Sequence, residues 1–250
     1  MKDYTRVIKK LTDDNFVIIR NFFTQNTLKE IKHEIKKIEK MNLNKRDKHY
    51  VYDNKNQKVL SSIHNIHLYS EYYKNLINEC ELKNIILKRY GSRSKRIFNA
   101  SLFAKPKAYG LKTKIHQDNA FFNLKKGEAL TCWVAIDASN KKNGSLFYYK
   151  GSSALGLQKH IPEGNLGASM TIDQTTSFLK KIKKYKKIFI DVKPGDCVIH
   201  DALVIHGSEN NTSSTNRRAI NFSISSLDKV DKIKLKKYKD KLNRFLNKNK

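Results

Sequence analysis

Gly195-Asp196-Cys197-Val198-Ile199-His200-Asp201-Ala202-Leu203-Val204-Ile205-His206-Gly207-Ser208 is the stretch on which the fold turns. Pro194, Gly195 and Asp196 make a turn, and 197–206 is then apolar enough for a buried strand or strand pair, 197–200 and 203–206. The same texture recurs on both sides. Short apolar runs separated by Gly, Asn and Lys turns begin at Ile97 and give further candidate strands at 97–105, 113–117, 128–137, 145–149, 187–192 and 217–225. Many short strands with turn punctuation specify a sandwich or barrel.

The flanks are more helical. Residues 15–20 read as a short strand, and Thr24 is an N-cap for a helix over about 26–40, with Leu28, Ile31, Ile35 and Ile38 at helical spacing. The polar stretch 41–59 reads as loop, followed by helices near 68–80 and 82–89. Residues 151–184 form a long insertion between strands, with a helix at 173–184; long loops inside a compact domain usually serve as lids or binding loops. In the tail, 228–250, Leu235, Tyr238, Leu242, Phe245 and Leu246 recur at three- and four-residue steps among lysines. That pattern is an amphipathic helix, expected to pack its stripe on the domain; a membrane-surface or partner helix is the other reading.

The chain has 250 residues, enough for one large domain with its own core. Twelve Tyr and twelve Phe argue against disorder despite 30% charged residues. Cys80, Cys132 and Cys197 are odd in number and widely spaced with no CxxC, which argues against a disulfide framework and a zinc knuckle and points to a reducing, cytoplasmic compartment. Met1-Lys2-Asp3-Tyr4-Thr5-Arg6 leads into no apolar signal region, and no apolar run is long enough to cross a membrane. The net charge of +28 invites a nucleic-acid or anionic-membrane partner. The excess is almost all lysine, with only nine arginines, and spreads along the whole chain. Asn is abundant too, and Lys and Asn share A/T-rich codons, so compositional bias suffices to explain it.

The chemistry centres on His116-Gln117-Asp118. On a strand, residues i and i+2 share a face, so His116 and Asp118 can aim at one metal. His206 arrives from a distant strand, 88 residues after Asp118. Two imidazoles and one carboxylate on one face of a metal leave three positions open, the ligand set of a non-haem Fe(II) oxygenase. Arg217 follows His206 by eleven residues, after a loop-like run. Alternation separates it from Arg218. Arg217 shares a face with Ala219, Asn221 and Ser223, small and polar; Arg218 shares one with Ile220, Phe222 and Ile224, bulky and apolar. Arg217 is therefore expected to point into the interior, where a guanidinium can hold a carboxylate bidentately.

These residues, with Leu130-Thr131-Cys132-Trp133-Val134-Ala135-Ile136-Asp137, Asn143-Gly144-Ser145-Leu146, Lys150-Gly151-Ser152-Ser153, Lys193-Pro194-Gly195-Asp196, His206-Gly207-Ser208, Asn211 and Arg217-Arg218-Ala219, resemble in order and spacing the phytanoyl-CoA dioxygenase family of Fe(II)/2-oxoglutarate oxygenases. The opening Phe16–Phe23 and its following helix look like that family as well, so the resemblance leaves only 228–250 unaccounted for. It implies a mainly β fold with flanking helices: N-terminal helices over 1–96 and a double-stranded β-helix (jelly-roll, cupin-like) core over 97–227, forming one domain, 1–227, followed by a basic helix. It implies that His116, Asp118 and His206 bind Fe(II), that Arg217 clamps the far carboxylate of 2-oxoglutarate with help from Ser208, and that Trp133 and Ser101 wall the co-substrate pocket. With O2, 2-oxoglutarate would yield succinate and CO2 while a small-molecule substrate is hydroxylated. Related halogenases lack the carboxylate, so Asp118 points to hydroxylation. Ser153 stands where a Gly-Ser-His or Gly-Thr-His triplet is common, which puts that histidine's contribution in doubt.

Three other readings compete. A non-catalytic jelly-roll binding protein would keep the fold. A nucleic-acid demethylase would carry two spaced arginines after the distal histidine, whereas Arg217 and Arg218 are adjacent. A basic interaction protein would act on nucleic acid or membrane surfaces through its tail. The favoured expectation is a monomer or homodimer that acts on a polar metabolite and binds neither nucleic acid nor membrane.

Overall fold

The computed structural model describes residues 4–53, 55–79, 81–91, 96–163, 170–226 and 229–248. Cys80, residues 164–169 of the insertion, the Met1-Lys2-Asp3 start of the expected leaderless terminus, and residues 227–228 and 249–250 of the tail region lie outside the described residues.

The chain opens with α1 (Thr5–Asp13), β1 (Phe16–Ile19) and α2 (Gln25–Lys40). A hairpin, β2 (Lys48–Tyr52) and β3 (Lys58–Ile63), precedes α3 (Ile66–Tyr69), α4 (Glu71–Glu79) and α5 (Leu82–Tyr90). Then come β4 (Arg96–Lys105), β5 (Thr113–His116), α6 (Asn119–Phe122), β6 (Ala129–Ala135) and β7 (Leu146–Tyr149). The insertion holds β8 (His160–Pro162), β9 (Met170–Ile172) and α7 (Thr176–Ile182). The chain finishes with β10 (Lys187–Phe189), β11 (Cys197–Asp201), β12 (His206–Ser208), β13 (Arg217–Ser225) and α8 (Lys232–Lys248).

Two antiparallel sheets form the core. The larger has the order β1-β11-β6-β13-β4-β3-β2 and the smaller β10-β7-β12-β5, with β8-β9 a separate pair. Alternation along β13 separates two packed layers. Ile220, Phe222 and Ile224 join Ile31 and Ile35 of α2, Ile77 of α4 and Ile85 of α5 on the outside of the large sheet. Ala219 faces the other way, with Trp133 of β6, Val198 of β11 and Tyr148 of β7, so this second layer fills the space between the sheets. Each fully buried Ile or Leu of the outer layer contributes roughly 1.5–3 kcal/mol of transfer free energy. Helix α2 begins where its cap dictates, since Thr24 Oγ1 accepts from the Thr27 amide at 3.2 Å.

The structure departs from the sequence expectations at three places. The supposed loop 41–59 contains β2 and the start of β3, which extend the large sheet at its edge. β2 is the edge strand and β3 meets β4 only at Ser62 and Ile63, so Lys48 and Lys58 sit where one side is unpaired and mask an alternation that a central strand would show. Residues 203–206 are not a strand: Val204 closes a turn onto Asp201, and β12 starts at His206. Asp118 does not sit on a strand with His116; β5 ends at His116, and Asp118 has helical dihedrals as the residue before α6.

Helix α8 lies against the domain. The Tyr238 ring is 6.2 Å from Phe121 of α6, and the Lys241 ammonium donates to the His160 carbonyl of β8. No helix among the described residues is long and apolar enough to cross a membrane.

Candidate metal centre and carboxylate pocket

His116 at the end of β5 and His206 at the start of β12 are direct cross-strand partners in the small sheet. Asp118 enters from the first turn beyond β5. Its Oδ1 lies 3.7 Å from His116 Nε2 and 3.6 Å from His206 Nε2. One donor atom from each of the three residues falls within 4.8 Å of the others, a cluster that could hold a metal ion.

The hydrogen bonds behind the cluster fix which atoms face inward. His116 Nδ1 is 2.9 Å from the Lys114 carbonyl, and His206 Nδ1 is 3.1 Å from the Val204 carbonyl. A carbonyl only accepts, so both Nδ1 atoms carry the proton and both Nε2 atoms present a lone pair. Burial pushes the His116 and His206 imidazoles toward the neutral form. Burial works against the charge on Asp118, but the His200 hydrogen bond and the surrounding imidazoles outweigh it and hold the carboxyl well below its usual range. Two neutral nitrogen donors and one carboxylate oxygen suit Fe(II).

Asp118 Oδ2 is already engaged. The Thr131 hydroxyl donates to it at 2.5 Å and His200 Nε2 donates to it at 3.1 Å. His200 Nδ1 in turn lies 2.9 Å from the Tyr148 hydroxyl, a group that can donate. Thr131 of β6 and His200 of β11 are register partners, so the sheet itself sets these two donors side by side. The carboxylate is thereby held through one oxygen while the other faces the imidazoles.

Gln117, fully buried between the two candidate ligands, turns the opposite way. Its amide nitrogen donates to the Leu203 and Gly156 carbonyls at 2.6 and 2.9 Å, and its oxygen accepts from the Gln158 amide at 2.8 Å. Its own backbone amide donates to His160 Nε2 at 3.1 Å, and burial lowers His160 to about 4. An imidazole thus packs beside the His116–Asp118 segment from position 160, seven residues after Ser153.

Arg217 points inward as alternation requires and is 3% exposed. Its guanidinium carbon lies 5.3 Å from the Trp133 ring, and Nη2 donates to the Gly144 carbonyl at 3.3 Å. Its Nε, although buried, has no hydrogen-bond partner. Arg218 faces the helices, partly exposed, and forms a bidentate pair with Asp137 at 2.8 and 3.0 Å. An unpartnered buried guanidinium N–H is costly, and a bidentate carboxylate is the anion whose shape satisfies it. Asn211 locates this arginine, donating to the carbonyls of Lys105 and Thr215 and so tying the loop before β13 to the end of β4.

Ser208 is buried and shares the His206 face of β12, opposite Leu146. Ser101 lies beside Asn221, across from Trp133, and its hydroxyl is 2.9 Å from Nδ1 of His64, which burial lowers to about 4. The structure thus brings His116, Asp118 and His206 together at one point, with Arg217 and Trp133 in mutual contact and Ser208 and Ser101 on inner faces of the two sheets. The sequence reading passed over His200, Thr131, Tyr148, Gln117 and His160. His200 alone carried a signal, being a second histidine in the deciding stretch, six residues before His206. A separate groove of about 350 Å³, lined by Phe147, Tyr149, Lys114, Lys187, Glu163 and Glu209, lies on the outer face of the small sheet. Its Lys114–Glu163 and Lys187–Glu209 pairs, at 2.7 and 2.9 Å, neutralise one another.

The sequence profile of phytanoyl-CoA dioxygenase (PhyH) matches residues 13–219. The phytanoyl-CoA dioxygenase domain-containing protein 1 of Danio rerio is 28% identical over 168 residues, 64% of this chain and 55% of that protein. This chain therefore spans about half the length of that relative. A Stutzerimonas stutzeri protein named "Probable alpha-ketoglutarate-dependent hypophosphite dioxygenase" is 22% identical over 227 residues, 88% of this chain and 78% of that one. Among solved structures, EctD from S. alaskensis with bound Fe superposes with a TM-score of 0.72 at 18% identity, covering 89% of this chain and 77% of EctD. That likeness supports the mainly β, jelly-roll fold.

Proposed function

The chain belongs to the phytanoyl-CoA dioxygenase family, and from that membership we propose that it is an Fe(II)- and 2-oxoglutarate-dependent dioxygenase that hydroxylates a C–H bond of a small polar metabolite. The observation that carries the reading is the pairing of two features in one interior. His116, Asp118 and His206 present two imidazole lone pairs and one free carboxylate oxygen, and Arg217 presents an unsatisfied buried guanidinium N–H.

In this reading His116, Asp118 and His206 hold the iron and Arg217 binds the terminal carboxylate of 2-oxoglutarate. Bound iron with 2-oxoglutarate and O2 supplies the oxidising chemistry, with succinate and CO2 as co-products. The chain's own residues do the placing. Thr131 and His200 engage one oxygen of Asp118, so the other oxygen would be the one to hold the metal. Trp133 lies against the guanidinium and, with Ser208 and Ser101, walls the co-substrate pocket. Phe121, edge-on to His116 with ring centroids 5.8 Å apart, shields that side from water.

A polar substrate is supported by one relative's name, which specifies hypophosphite, and by a strongly cationic chain that draws in anions by steering. The test is a metabolite screen for substrate-stimulated succinate formation with Fe(II), O2 and 2-oxoglutarate, anionic metabolites included. The reading predicts one compound class that raises succinate in step with its own hydroxylation. A purified, iron-loaded protein that neither binds nor consumes 2-oxoglutarate would instead favour a non-catalytic jelly-roll.

A further inference from the structure

Resting on that reading, we propose that Lys105 is a second cationic anchor for the terminal carboxylate of 2-oxoglutarate, working beside Arg217. The two residues are direct register partners on β4 and β13, at the same end of the large sheet. Both are buried, Lys105 at 6% and Arg217 at 3% exposure. Both end on backbone carbonyls of one corner: the Lys105 ammonium donates to Glu209 O and Arg217 to Gly144 O.

Gly144 is what lets the corner close. Its φ is +80°, and a Cβ there would stand 2.7 Å from Glu209 O and 3.0 Å from Lys105 Cδ. Ser145, next in the chain, has a buried hydroxyl without a partner.

The nearby acids are committed elsewhere. The Glu209 carboxylate pairs with Lys187 at 2.9 Å, and Asp137 pairs with Arg218. Among the described residues, neither Lys105 nor Arg217 has a carboxylate within ion-pair distance. Charging two adjacent buried basic groups that have only carbonyl acceptors is costly unless an anion joins them. Burial, and then the charge on Arg217, lower Lys105 to about 6. A carboxylate bound between them would offset both effects. A structural lysine that only braced Glu209 O would not need Arg217 as its neighbour.

The test uses full-length, Fe(II)-loaded protein under anaerobic conditions, with 2-oxoglutarate affinity measured by calorimetry and melting temperature by fluorimetry. Lys105→Met should weaken 2-oxoglutarate binding about tenfold or more, the loss of one charge-assisted hydrogen bond. It should leave the affinity for 2-oxobutyrate, which lacks the terminal carboxylate, unchanged, and the ligand-free variant should melt at or above the wild-type temperature. Should that variant fail to fold, proton uptake by the wild type on binding 2-oxoglutarate near neutral pH, read from buffers of different ionisation enthalpy, tests the same claim. Wild-type protein that binds 2-oxoglutarate, with Lys105→Met binding it equally well or with no proton uptake, overturns the role of Lys105 alone. Wild-type protein that binds no 2-oxoglutarate overturns the oxygenase reading and this anchor with it.

Discussion

His200 Nε2 lies 3.1 Å from Asp118 Oδ2, while the other oxygen, Oδ1, is the one nearest His116 and His206. This contact, shared with Thr131, separates the two oxygens of one carboxylate into a held atom and a free one. Groups behind a metal ligand orient it and tune its basicity, and their loss typically costs about 10–100-fold in metal affinity. His200→Ala should therefore weaken Fe(II) binding by that order in a metal titration. Tyr148→Phe, which removes only the hydroxyl facing His200 Nδ1, should cost less. Unchanged metal affinity in His200→Ala would mean that Thr131 alone holds the carboxylate.

Arg217 and Arg218 differ by one position and by everything that surrounds them. Arg217→Ala should raise the apparent KM for 2-oxoglutarate far more than Arg218→Ala. The latter removes a partly exposed pair with Asp137 and should cost about 1 kcal/mol of stability with little change in KM. Equal effects on KM would contradict the inward orientation of Arg217.

Gln117→Leu tests the scaffold between the candidate ligands. It leaves the Leu203 carbonyl and the Gln158 backbone amide without their partner, while the Gly156 carbonyl keeps the Gln158 side-chain amide. Each buried orphan costs about 1–3 kcal/mol, so with two of them the variant should lose roughly 2–6 kcal/mol in denaturant unfolding. A loss below about 1 kcal/mol would show that water replaces the side chain.

The depressed Lys105 sets a pH dependence with a defined sign. In the folded, ligand-free chain burial and the charge on Arg217 push it down to about 6, against 10.5 for the ordinary side chain. Between those values the unfolded chain binds the extra proton, so stability rises with pH across that window. The penalty is complete below pH 6 and removed above 10.5. The difference in melting temperature between Lys105→Met and wild type should thus shrink as pH rises, and saturating 2-oxoglutarate should flatten the wild-type curve. A difference that does not vary with pH would place Lys105 at an ordinary pKa.

The legible part of this molecule was the part written in local pattern. The alternation Arg217-Ala219-Asn221 against Arg218-Ile220-Phe222 assigned each arginine to a face before any contact was known, and the core clusters agree with it. His116, Asp118 and His206 were legible as residue types, though the stated reason for His116 and Asp118 was not the operative one. They converge because the chain turns into α6 at Asp118, not because a strand continues. The pairing of Thr131 with His200 was invisible for another reason. Their partnership exists only through the β6–β11 register, which no spacing in the chain encodes. The β2–β3 hairpin was missed because β2 lies at the sheet edge and β3 pairs beyond β2 only at its end, where lysines that hide the period are tolerated.

The central claim is most directly tested by 2-oxoglutarate-dependent succinate formation, measured side by side for wild type and His206→Ala at equal protein and saturating Fe(II). The account predicts metal-dependent succinate from the wild type and none from the variant, because two remaining ligands hold Fe(II) poorly. Near-normal succinate from His206→Ala would contradict it.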